Sequence, residues 1–512
     1  MDSAIYLALE TIEKNKQAIV FVPSRASAEK TAEDIAKIVK SAMPELESGV
    51  LKGIGTPTTQ CNRLAKCMKK GIAFHHAGLT NSQKDFIEES FKEGKVKIIC
   101  ATPTLAAGLS LPVFRVIVKS LKRYSGRWGM DWIQVLEYLQ MAGRAGRPEY
   151  EKYGEAITIA KNDSEKEEIY QRYICGKPED IYSKLAVEPV LRTYLLSLIS
   201  SNIIRDEKTM KEFFGKTFWA QQFKDMNKLE SIMDRMLSLL EEWKFIVING
   251  KKEDTGDFVS ASNIGSNNNN KTMKATLLGK RVSELYLDPL TARHLIDCTA
   301  KWHEKTTPFS LLQIVSNTIE MRPLLRVKGS EQEIINGELL QRYEMLLMEE
   351  PSAFDFEYED FINSIKTSLF FDSWIDEKKE DFLLEKYGIR PGEIRVKLET
   401  ADWLLYGTEE LARVEGYKEV IKEIHKLRLR LKHGVKEELL PLLKIKGIGR
   451  ARARKLHNNN IKDIGDLSKI DPTSLSQILG TAVSENVKKQ LGEEIKEIPK
   501  GRRTGQLSLT KF

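Results

Sequence analysis

Four short apolar runs near the start of the chain alternate with helix-forming or polar segments, and this alternation most constrains the fold. The runs lie in QAIVFVPS, GIAFHH, KVKIICATP and FRVIVKS, and the segment SAEKTAEDIAKIVKSA between the first two has helical spacing. Strands that are apolar along their whole length are typical of a parallel sheet covered on both faces. The sequence therefore predicts an α/β domain built on such a sheet.

Polar, glycine-containing stretches follow these strands. FVPSR, FHHAGLT and ATPTLAAGLSLP come at strand ends, so we expect them at the carboxyl edge of the sheet, where α/β proteins bind ligands. A fourth stretch, QMAGRAGRP, carries Arg144 and Arg147, which one helical turn apart would point at one spot. Fixed cations suit phosphoryl transfer, because charge spreads over the phosphate oxygens. Taken alone, the pair would equally suit the solvated start of a basic helix.

Composition limits the class of protein. At 512 residues the chain is too long for one core, and three to five domains are expected. The net charge of +7 becomes informative because Lys and Arg cluster: residues 421–455 hold 12 of them against 3 acids, which favours a polyanionic partner. Five cysteines without a CxxC pair predict neither a disulfide framework nor a metal site and fit a reduced, cytoplasmic interior. No apolar run reaches the roughly 20 residues of a membrane span, and no signal peptide is expected.

The rest of the chain reads as mainly helical. EPVLRTYLLSLISSNII and LESIMDRMLSLLEEWKFIV are amphipathic, and the Asn-rich stretch SNIGSNNNNK predicts a turn between two short strands before the helix LLGKRVSELYL. Helices with a small hairpin are typical of a winged helix. Near the end, KIKGIGRARARKL places Gly447 and Gly449 before a basic helix, a turn whose backbone N–H groups would cradle an anion.

Taken in order, the four stretches resemble motifs IV, IVa, V and VI of the second RecA-like domain of superfamily 2 helicases of the Ski type. With EFFGKTFWAQQ, LLGKRVSELYLDPLTA, EIRVKLETADWLLY and KGIGRARARKL, the whole chain resembles the archaeal Holliday junction migration helicases (Hjm). The resemblance implies a multidomain α/β plus mainly α protein. Its expected domains are a second RecA-like domain (1–165), a winged helix (166–287), a helical ratchet bundle (288–433), a helix-hairpin-helix domain (434–500) and a tail with a clamp-binding-like motif (501–512).

The same resemblance implies an ATP-dependent 3′ to 5′ DNA helicase acting at stalled forks in repair and recombination. No G-x-x-x-x-G-K-[ST] motif and no DExH box occurs in the sequence; Gly215-Lys216-Thr217 lacks the first glycine, where Met210 stands. We therefore expect the first RecA-like domain, which would hold most of the ATP and Mg²⁺ contacts, to be supplied upstream or in trans. The chain alone is expected not to hydrolyse ATP.

The resemblance also assigns roles to individual residues. Those expected to face the γ-phosphate of ATP are Gln140, Arg144 and Arg147. Those expected near the rest of the nucleotide are Gly108, Ser110 and Gly143. Those expected to hold phosphates of the translocated strand are Ser24, Arg25, His76, Gly78 and Thr104.

Further nucleic-acid contacts are expected outside the sheet. The segment FRVIVKSLKRYSGRWGMDWIQVLEYL predicts a hairpin, in the family a duplex-splitting wedge, on which Tyr124, Trp128 and Trp132 would stack on a base; edge-strand packing is the alternative. EIRVKLETADWLLYGTEEL predicts a long helix, in the family a ratchet, with Arg395 or Lys397 as the charge contact. Trp403 is either a base contact or part of the core.

The basic helix and the tail complete the expected contacts. The residues expected to bind phosphate around the helix-hairpin-helix turn are Gly447, Gly449, Arg450, Arg452 and Arg454. In GQLSLTKF, the residues Gln506, Leu509 and Phe512 match the pattern of a sliding-clamp-binding tail, with a frayed terminus as the alternative. Two other functions stay open: an RNA helicase of the Ski or Mtr kind, and a nucleic-acid-binding adaptor without enzymatic activity.

Overall fold

The computed structural model describes residues 2–54, 57–108, 111–124, 130–146, 153–248 and 272–492, with the side chains of residues 107, 108 and 124 excepted. Contacts divide the chain into two units, Met1–Tyr182 with Glu380–Lys397, and Ser183–Lys379 with Leu398–Phe512. The predicted ratchet domain included residues 380–397, whereas their contacts join them to the first unit. Sequence separation hid this association, because these residues lie about 200 positions beyond the rest of that unit.

The first unit alternates strands with helices, as predicted. Its strands are β1 (Ala18–Phe21), β2 (Ile72–His75), β3 (Ile98–Ala101), β4 (Arg115–Val118), β5 (Lys122–Tyr124), β6 (Met130–Trp132) and β7 (Glu155–Thr158). Its first eight helices are α1 (Ser3–Glu13), α2 (Arg25–Ile38), α3 (Pro44–Gly49), α4 (Thr59–Met68), α5 (Asn81–Lys92), α6 (Thr104–Gly108), α7 (Val135–Ala142) and α8 (Asp163–Ile169). A π-helical turn, Tyr170–Ile174, follows α8.

Five of these strands form one parallel sheet in the order β2-β3-β1-β4-β7. Every residue of β1, β2, β3 and β4 is buried, so side chains on both faces of the sheet are covered, as the continuous apolar runs predicted. Strand β7 was not anticipated, because its residues are half-buried or exposed and its sequence, EAIT, is not a continuous apolar run. Strands β5 and β6 form the predicted antiparallel hairpin.

Helix α2 shows why the sequence folds in this way. Its Ser24 cap accepts a hydrogen bond from the Ser27 N–H, and alanines, Thr31 and Ile35 recur on its buried face. This face packs against β2 and β3. The polar Glu29 lies on the same buried face, which makes it an exception that needs a partner.

The second unit is mainly helical. Its elements before residue 380 are α9 (Glu188–Ser200), α10 (Glu207–Gly215), α11 (Phe218–Phe223), α12 (Met226–Glu242), β8 (Ile246–Ile248), β9 (Met273–Ala275), α13 (Leu277–Glu284), α14 (Pro289–Ala300), α15 (Pro308–Ser316), α16 (Gln332–Arg342) and α17 (Tyr358–Ile375). Helix α18 (Glu380–Tyr387) belongs to the first unit, and α19 (Pro391–Glu415) begins in the first and ends in the second. The last helices are α20 (Lys418–His433), α21 (Arg450–Asn458), α22 (Ile464–Lys469), α23 (Pro472–Leu479) and α24 (Thr481–Gln490).

Three groups of contacts organise the second unit. Helices α9, α12 and α13 pack with the antiparallel pair β8 and β9, the combination of elements that the sequence predicted around the Asn-rich stretch. Helices α15, α17 and α20 pack together. The last helices enclose a core of their own, which includes Ile448, Leu456, Leu467 and Leu475. Residues 435–491 therefore have the buried apolar centre expected of a small domain.

Two kinds of site are absent from the described part of the chain. None of its helices is both long enough and apolar enough to span a bilayer. Its His, Cys, Asp and Glu side chains do not gather anywhere in groups of three or more suited to a metal ion.

Gly279, at the start of α13, tests the packing of the second unit. A Cβ atom there would lie 1.9 Å from the carbonyl oxygen of Phe245. Because that oxygen belongs to the backbone, the main chain would have to shift to make room. We expect Gly279→Ala to lower the free energy of unfolding by about 1–3 kcal/mol, as overpacking does. Urea denaturation measures the change. Gly337 in α16 is the control, because nothing lies within 4 Å of a Cβ there and alanine should be neutral or stabilising.

Candidate nucleic-acid interface

A cavity of about 750 Å³ lies at the carboxyl edge of the parallel sheet. Loops that follow β1, β2 and β3 line it, together with the hairpin, helix α7 and the residue before α19. The lining residues are Pro23, Ser24, Arg25, Ala26, Ala77, Thr102, Pro103, Thr104, Arg123, Gln134, Leu136, Glu137, Gln140 and Arg390. Three arginines and several hydroxyl groups against a single carboxylate give the lining an anion-binding character.

The start of α2 supplies neutral donors to this cavity. Ser24 is the N-cap of the helix, and Arg25 and Ala26 are its first two residues, all of them on the cavity wall. The first N–H groups of a helix have no partner within the helix and attract anions. Across the cavity, the Thr102 and Thr104 hydroxyl groups lie 2.9 Å apart. Ser24, Arg25 and Thr104, predicted as phosphate contacts, therefore share one site.

Carboxylates already accompany two of the arginines. Arg25 donates through Nη1 to Glu393 Oε1, and the other oxygen of Glu393 accepts from the Arg390 backbone N–H at 3.1 Å. Arg123 pairs with Glu137 at 3.0 Å. These partly exposed pairs are weakly stabilising, so a phosphate can compete for the guanidinium groups.

His76 and Gly78 were predicted to bind phosphates directly, but both are buried. The His76 side chain is completely buried and stacks on Phe74, with ring centroids 5.6 Å apart. Its Nδ1 accepts from the Gly78 N–H at 3.1 Å. Gly78 is buried too, and a Cβ there would lie 2.5 Å from Arg390 Cδ. The two residues position the loop after β2, and the exposed Ala77 between them lines the cavity instead.

The arginine pair also departs from the prediction. Helix α7 ends at Ala142 with Gly143 as its cap, so Arg144 lies in a turn and not on a helix. The Val113 backbone fixes this turn: its N–H donates to the Arg144 carbonyl at 2.9 Å and its carbonyl accepts from Gly146 at 2.7 Å. Gly146 has φ +105°, which favours glycine, so the helical spacing could not continue.

The residues that were predicted to face ATP do not lie together. The half-buried Arg144 donates through Nη2 to the carbonyl of Ala106, in the middle of α6. Gln140 is exposed and lines the cavity with Ser24 and Thr104. Gly143 is exposed and Gly108 ends α6. Ser110 and Arg147 lie outside the described residues.

The hairpin gives one further correction. Trp132 is half-buried against the core of the first unit, with Lys122 Nζ 4.0 Å from its ring centroid and the Tyr173 ring 6.0 Å away. It is therefore a packing residue, as the edge-strand alternative supposed. Trp128 lies outside the described residues, and at Tyr124 the structure describes the backbone alone.

Helix α19 forms as one continuous element of 25 residues, as predicted. Arg395 is exposed, whereas Lys397 is half-buried, and burial lowers the pKa of Lys397 to about 8. The indole of Trp403 is half-buried, and its Nε1–H donates to the Leu285 carbonyl at 3.1 Å. That hydrogen bond ties Trp403 to the helical unit and leaves its ring only partly accessible.

The turn at residues 447–449 precedes a basic helix, as the sequence indicated. Gly447 has φ +90° and Gly449 caps α21, with Ile448 buried between them. Its N–H groups are only partly available, because Ile448 donates to Ile445 at 3.1 Å and Lys446 to Gln490 Oε1 at 2.9 Å. Fewer backbone N–H groups of this turn are therefore available to an anion than the sequence predicted.

The three arginines of α21 differ in their surroundings. Arg454 forms ion pairs with Glu377 at 2.6 Å and Glu438 at 2.7 Å, and these pairs raise the pKa of Arg454. Arg450 lies over Trp374, 5.3 Å from the ring centroid, and donates to the Lys378 carbonyl. Arg452 is exposed. Arg450 and Arg454 thus make contacts within the helical unit, and phosphate binding by the three arginines stays a prediction. Gln506, Leu509 and Phe512 lie outside the described residues.

Sequence reasoning missed two cavity arginines and a buried acid. Arg123 lies in the predicted hairpin, where only the aromatic residues were predicted to contact nucleic acid. Arg390 precedes the predicted ratchet helix, and Glu29 stands in an ordinary helix pattern. Only the three-dimensional arrangement joins them, since Glu29 and Arg390 are 361 positions apart.

Comparisons with known proteins address the same segments. A family model described as the helicase conserved C-terminal domain matches residues 2–149, and one for domain 4 of archaeal helicases matches residues 309–434. The ATP-dependent DNA helicase Hel308 of Pyrococcus horikoshii is 36% identical over 508 residues, covering 97% of this chain and 67% of that protein. The chain belongs to the Hel308 family of archaeal DNA helicases.

Two further Hel308 proteins agree with this assignment. That of Pyrococcus abyssi is 36% identical and that of Methanocella arvoryzae 34% identical, with 96% and 97% of this chain covered. The chain spans 66% of the length of each. The helicase C-terminal model covers the whole parallel sheet except β7, so the cavity lies mainly within the segment that the Hel308 family shares with other helicases.

Proposed function

We propose that the chain is the DNA-tracking part of an ATP-dependent 3′ to 5′ DNA helicase that acts on single-stranded and forked DNA during repair of stalled forks. The observation that carries this proposal is the cavity, where the start of α2, two threonine hydroxyl groups and three arginines converge on one site. Phosphate contacts of this kind hold a strand without reading its sequence. A translocating enzyme needs that property, because it must bind every sequence that it crosses.

The proposal for ATP is narrower. Gln140, Arg144 and Arg147 would bring fixed charge and polarity to the triphosphate, and Gly108, Ser110 and Gly143 would border the rest of the nucleotide. Support comes from the turn after α7, which holds Arg144 against the segment after β3. Because no Walker motif occurs in the 512 residues, we infer that a separate RecA-like domain holds most of the ATP and Mg²⁺ contacts.

The other predicted regions keep their proposed roles. The hairpin would separate the duplex, and α19 would follow the single strand through Arg395 or Lys397 and through base stacking on Trp403. The turn and basic helix would add phosphate contacts through Gly447, Gly449, Arg450, Arg452 and Arg454. Residues 166–287, 288–433 and 434–500 would act as winged-helix, ratchet and helix-hairpin-helix domains in a cytoplasmic, nucleoid-associated enzyme. The tail residues Gln506, Leu509 and Phe512 would bind a sliding clamp.

Two measurements test this function. First, the chain should bind a DNA fork more tightly than the matching RNA fork; equal or better binding of RNA would instead indicate a Ski or Mtr type of enzyme. Second, the chain alone should not hydrolyse ATP, and addition of a candidate ATP-binding RecA-like domain should give DNA-stimulated hydrolysis. If no such domain restores hydrolysis, the non-enzymatic adaptor becomes the better account.

Lys397 predicts a pH dependence of DNA binding. With a pKa of about 8, its ammonium group is largely charged at pH 7 and largely neutral at pH 9. If Lys397 contacts phosphate, affinity for single-stranded DNA should fall several-fold over this range, and Lys397→Met should remove that part of the fall. Arg395→Gln should weaken binding equally at both pH values, because arginine stays charged. A wild-type affinity independent of pH would exclude Lys397 as the contact.

Loss of the fold does not explain the expected change. The folded-state pKa of Lys397 is below the ordinary value of 10.5, so between pH 8 and 10.5 the unfolded chain binds more protons. This group therefore makes the folded state more stable as the pH rises. Thermal unfolding at both pH values serves as the control.

A further inference from the structure

Arg390 is far in sequence from the other residues that line the cavity, all of which lie between positions 23 and 140. It immediately precedes α19 and lines the cavity beside residues of the loops after β1 and β3. Its segment is fixed to the sheet edge, because the Gly392 N–H donates to the Gly78 carbonyl at 3.1 Å. A Cβ on Gly392 would lie 2.4 Å from the Leu79 carbonyl oxygen, so the approach needs glycine. The position of Arg390 is therefore set by backbone contacts as well as by its side chain.

Glu29 holds the Arg390 side chain from behind. Its carboxylate is buried and accepts from Arg390 Nε at 3.1 Å and from Arg63 Nη1 at 2.7 Å. His76 Nε2 lies 3.2 Å from the same carboxylate. Since His76 Nδ1 already accepts from Gly78, the ring proton must be on Nε2, where it faces Glu29. One buried carboxylate thus joins α2, α4, the loop after β2 and the residue before α19.

This arrangement leaves the outer part of the guanidinium group for a ligand. Glu29 takes the Nε–H, and the Nη groups of Arg390 form no hydrogen bond with the described residues. The side chain keeps 21% of its exposure, on a cavity wall. A guanidinium fork held at one end and open at the other matches the geometry of a phosphate.

The kind of partner also sets Arg390 apart from the other arginines of the cavity. Glu393 accompanies Arg25 and Glu137 accompanies Arg123, and both of these carboxylates are partly exposed. Arg390 is paired with the buried Glu29, which it shares with Arg63, and Arg63 has Glu33 as a further partner. Of the two arginines that contact Glu29, only Arg390 lines the cavity.

We propose that Arg390 binds a phosphate of the nucleic-acid strand in this cavity, with Glu29 as the residue that positions it. The inference rests on the proposed function, since it assumes that a strand occupies the cavity. It adds a contact from outside the helicase C-terminal segment, at the start of the long helix α19. The strand and that helix would then share a contact through Arg390.

Arg390→Gln and Arg63→Gln form a matched pair for the test. Each removes one guanidinium group from Glu29, but only Arg390 lies on the cavity wall. Binding of a fluorescent oligo(dT) strand to the full chain is measured over a range of salt concentrations. Arg390→Gln should weaken binding about tenfold at low salt and lower the slope of log affinity against log salt by about 0.7, the share of one phosphate on a single strand. Arg63→Gln should stay within about twofold, with an unchanged slope, and Arg390→Lys should recover the slope.

Each outcome decides a different point. If the wild-type chain does not bind the strand, the proposed function fails. If the wild type binds and Arg390→Gln keeps both its affinity and its slope, the proposal for Arg390 alone is wrong. Equal losses in Arg390→Gln and Arg63→Gln would likewise contradict it, because they would show that the Glu29 cluster acts only through stability; urea denaturation of both variants measures that contribution.

Discussion

Glu29→Ala is expected to destabilise the first unit by about 3–5 kcal/mol, the usual cost of removing one partner from a buried ion pair. The carboxylate is buried beside Arg63 and Arg390, and its loss would remove the buried counterion that both guanidinium groups share, while Arg63 would keep its pair with Glu33. Urea denaturation followed by circular dichroism measures the change. Glu33→Ala on the same helix is the control: Glu33 pairs with Arg63 but keeps 28% exposure, so its loss should cost less than about 1 kcal/mol.

The same residue predicts how stability changes in acid. Burial alone would raise the pKa of Glu29, but the His76 contact and the charges of Arg390 and Arg63 outweigh burial and lower the pKa to about 2, from an ordinary 4.5. Its stabilisation is therefore complete above pH 4.5 and is lost as the pH falls from 4.5 towards 2. The difference in stability between wild type and Glu29→Ala should shrink over that range. A difference that is constant with pH would mean that Glu29 does not act as an ionised group.

Arg144→Ala is expected to abolish ATP hydrolysis once a partner RecA-like domain restores it, with a loss of about 10³–10⁵-fold, as for other arginines that stabilise the transferred phosphate. The turn that carries Arg144 is fixed by the Val113 backbone, so substitution should leave the surrounding fold in place. Steady-state hydrolysis at saturating DNA measures the loss. DNA binding, measured on the same preparation, should stay within about twofold.

Two comparison variants make this result interpretable. Arg144→Lys keeps the charge but loses the planar fork, so only a small part of the activity should return. Lys166→Ala, in α8 and outside the cavity lining, should behave as wild type. If Arg144→Ala retained more than about a tenth of the hydrolysis rate, Arg144 would not face the transferred phosphate.

The sheet was predictable because its strands are apolar on both faces. Residues of β1 to β4 are all buried, and a continuous apolar run is the direct sequence record of that burial. Strand β7 left no such record, since an edge strand with half-buried and exposed side chains resembles a loop in composition. The position of the loops was predictable as well. In a parallel sheet the carboxyl ends of all strands lie at one edge, so the loops that follow the strands meet there.

The arrangement of charges within the site was not predictable. QMAGRAGR has helical spacing, yet Gly143 ends the helix and Gly146 adopts a positive φ, so the arginine spacing describes a turn. His76 was expected to bind phosphate because its segment resembles a helicase motif, although its ring is fully buried. Arg390 reaches the cavity through Gly392 and Glu29, a contact between segments more than 300 positions apart that no local pattern encodes.

Photo-cross-linking of a single-stranded DNA that carries 5-iododeoxyuridine tests the central claim most directly, because it asks where the strand lies. With the chain bound to such an oligonucleotide, mass spectrometry should find cross-linked peptides that contain the cavity segments 23–26, 102–104 or 134–140. Arg25→Gln should reduce these adducts together with the affinity. Cross-links confined to the basic helices of the second unit, with none at the edge of the sheet, would contradict the account.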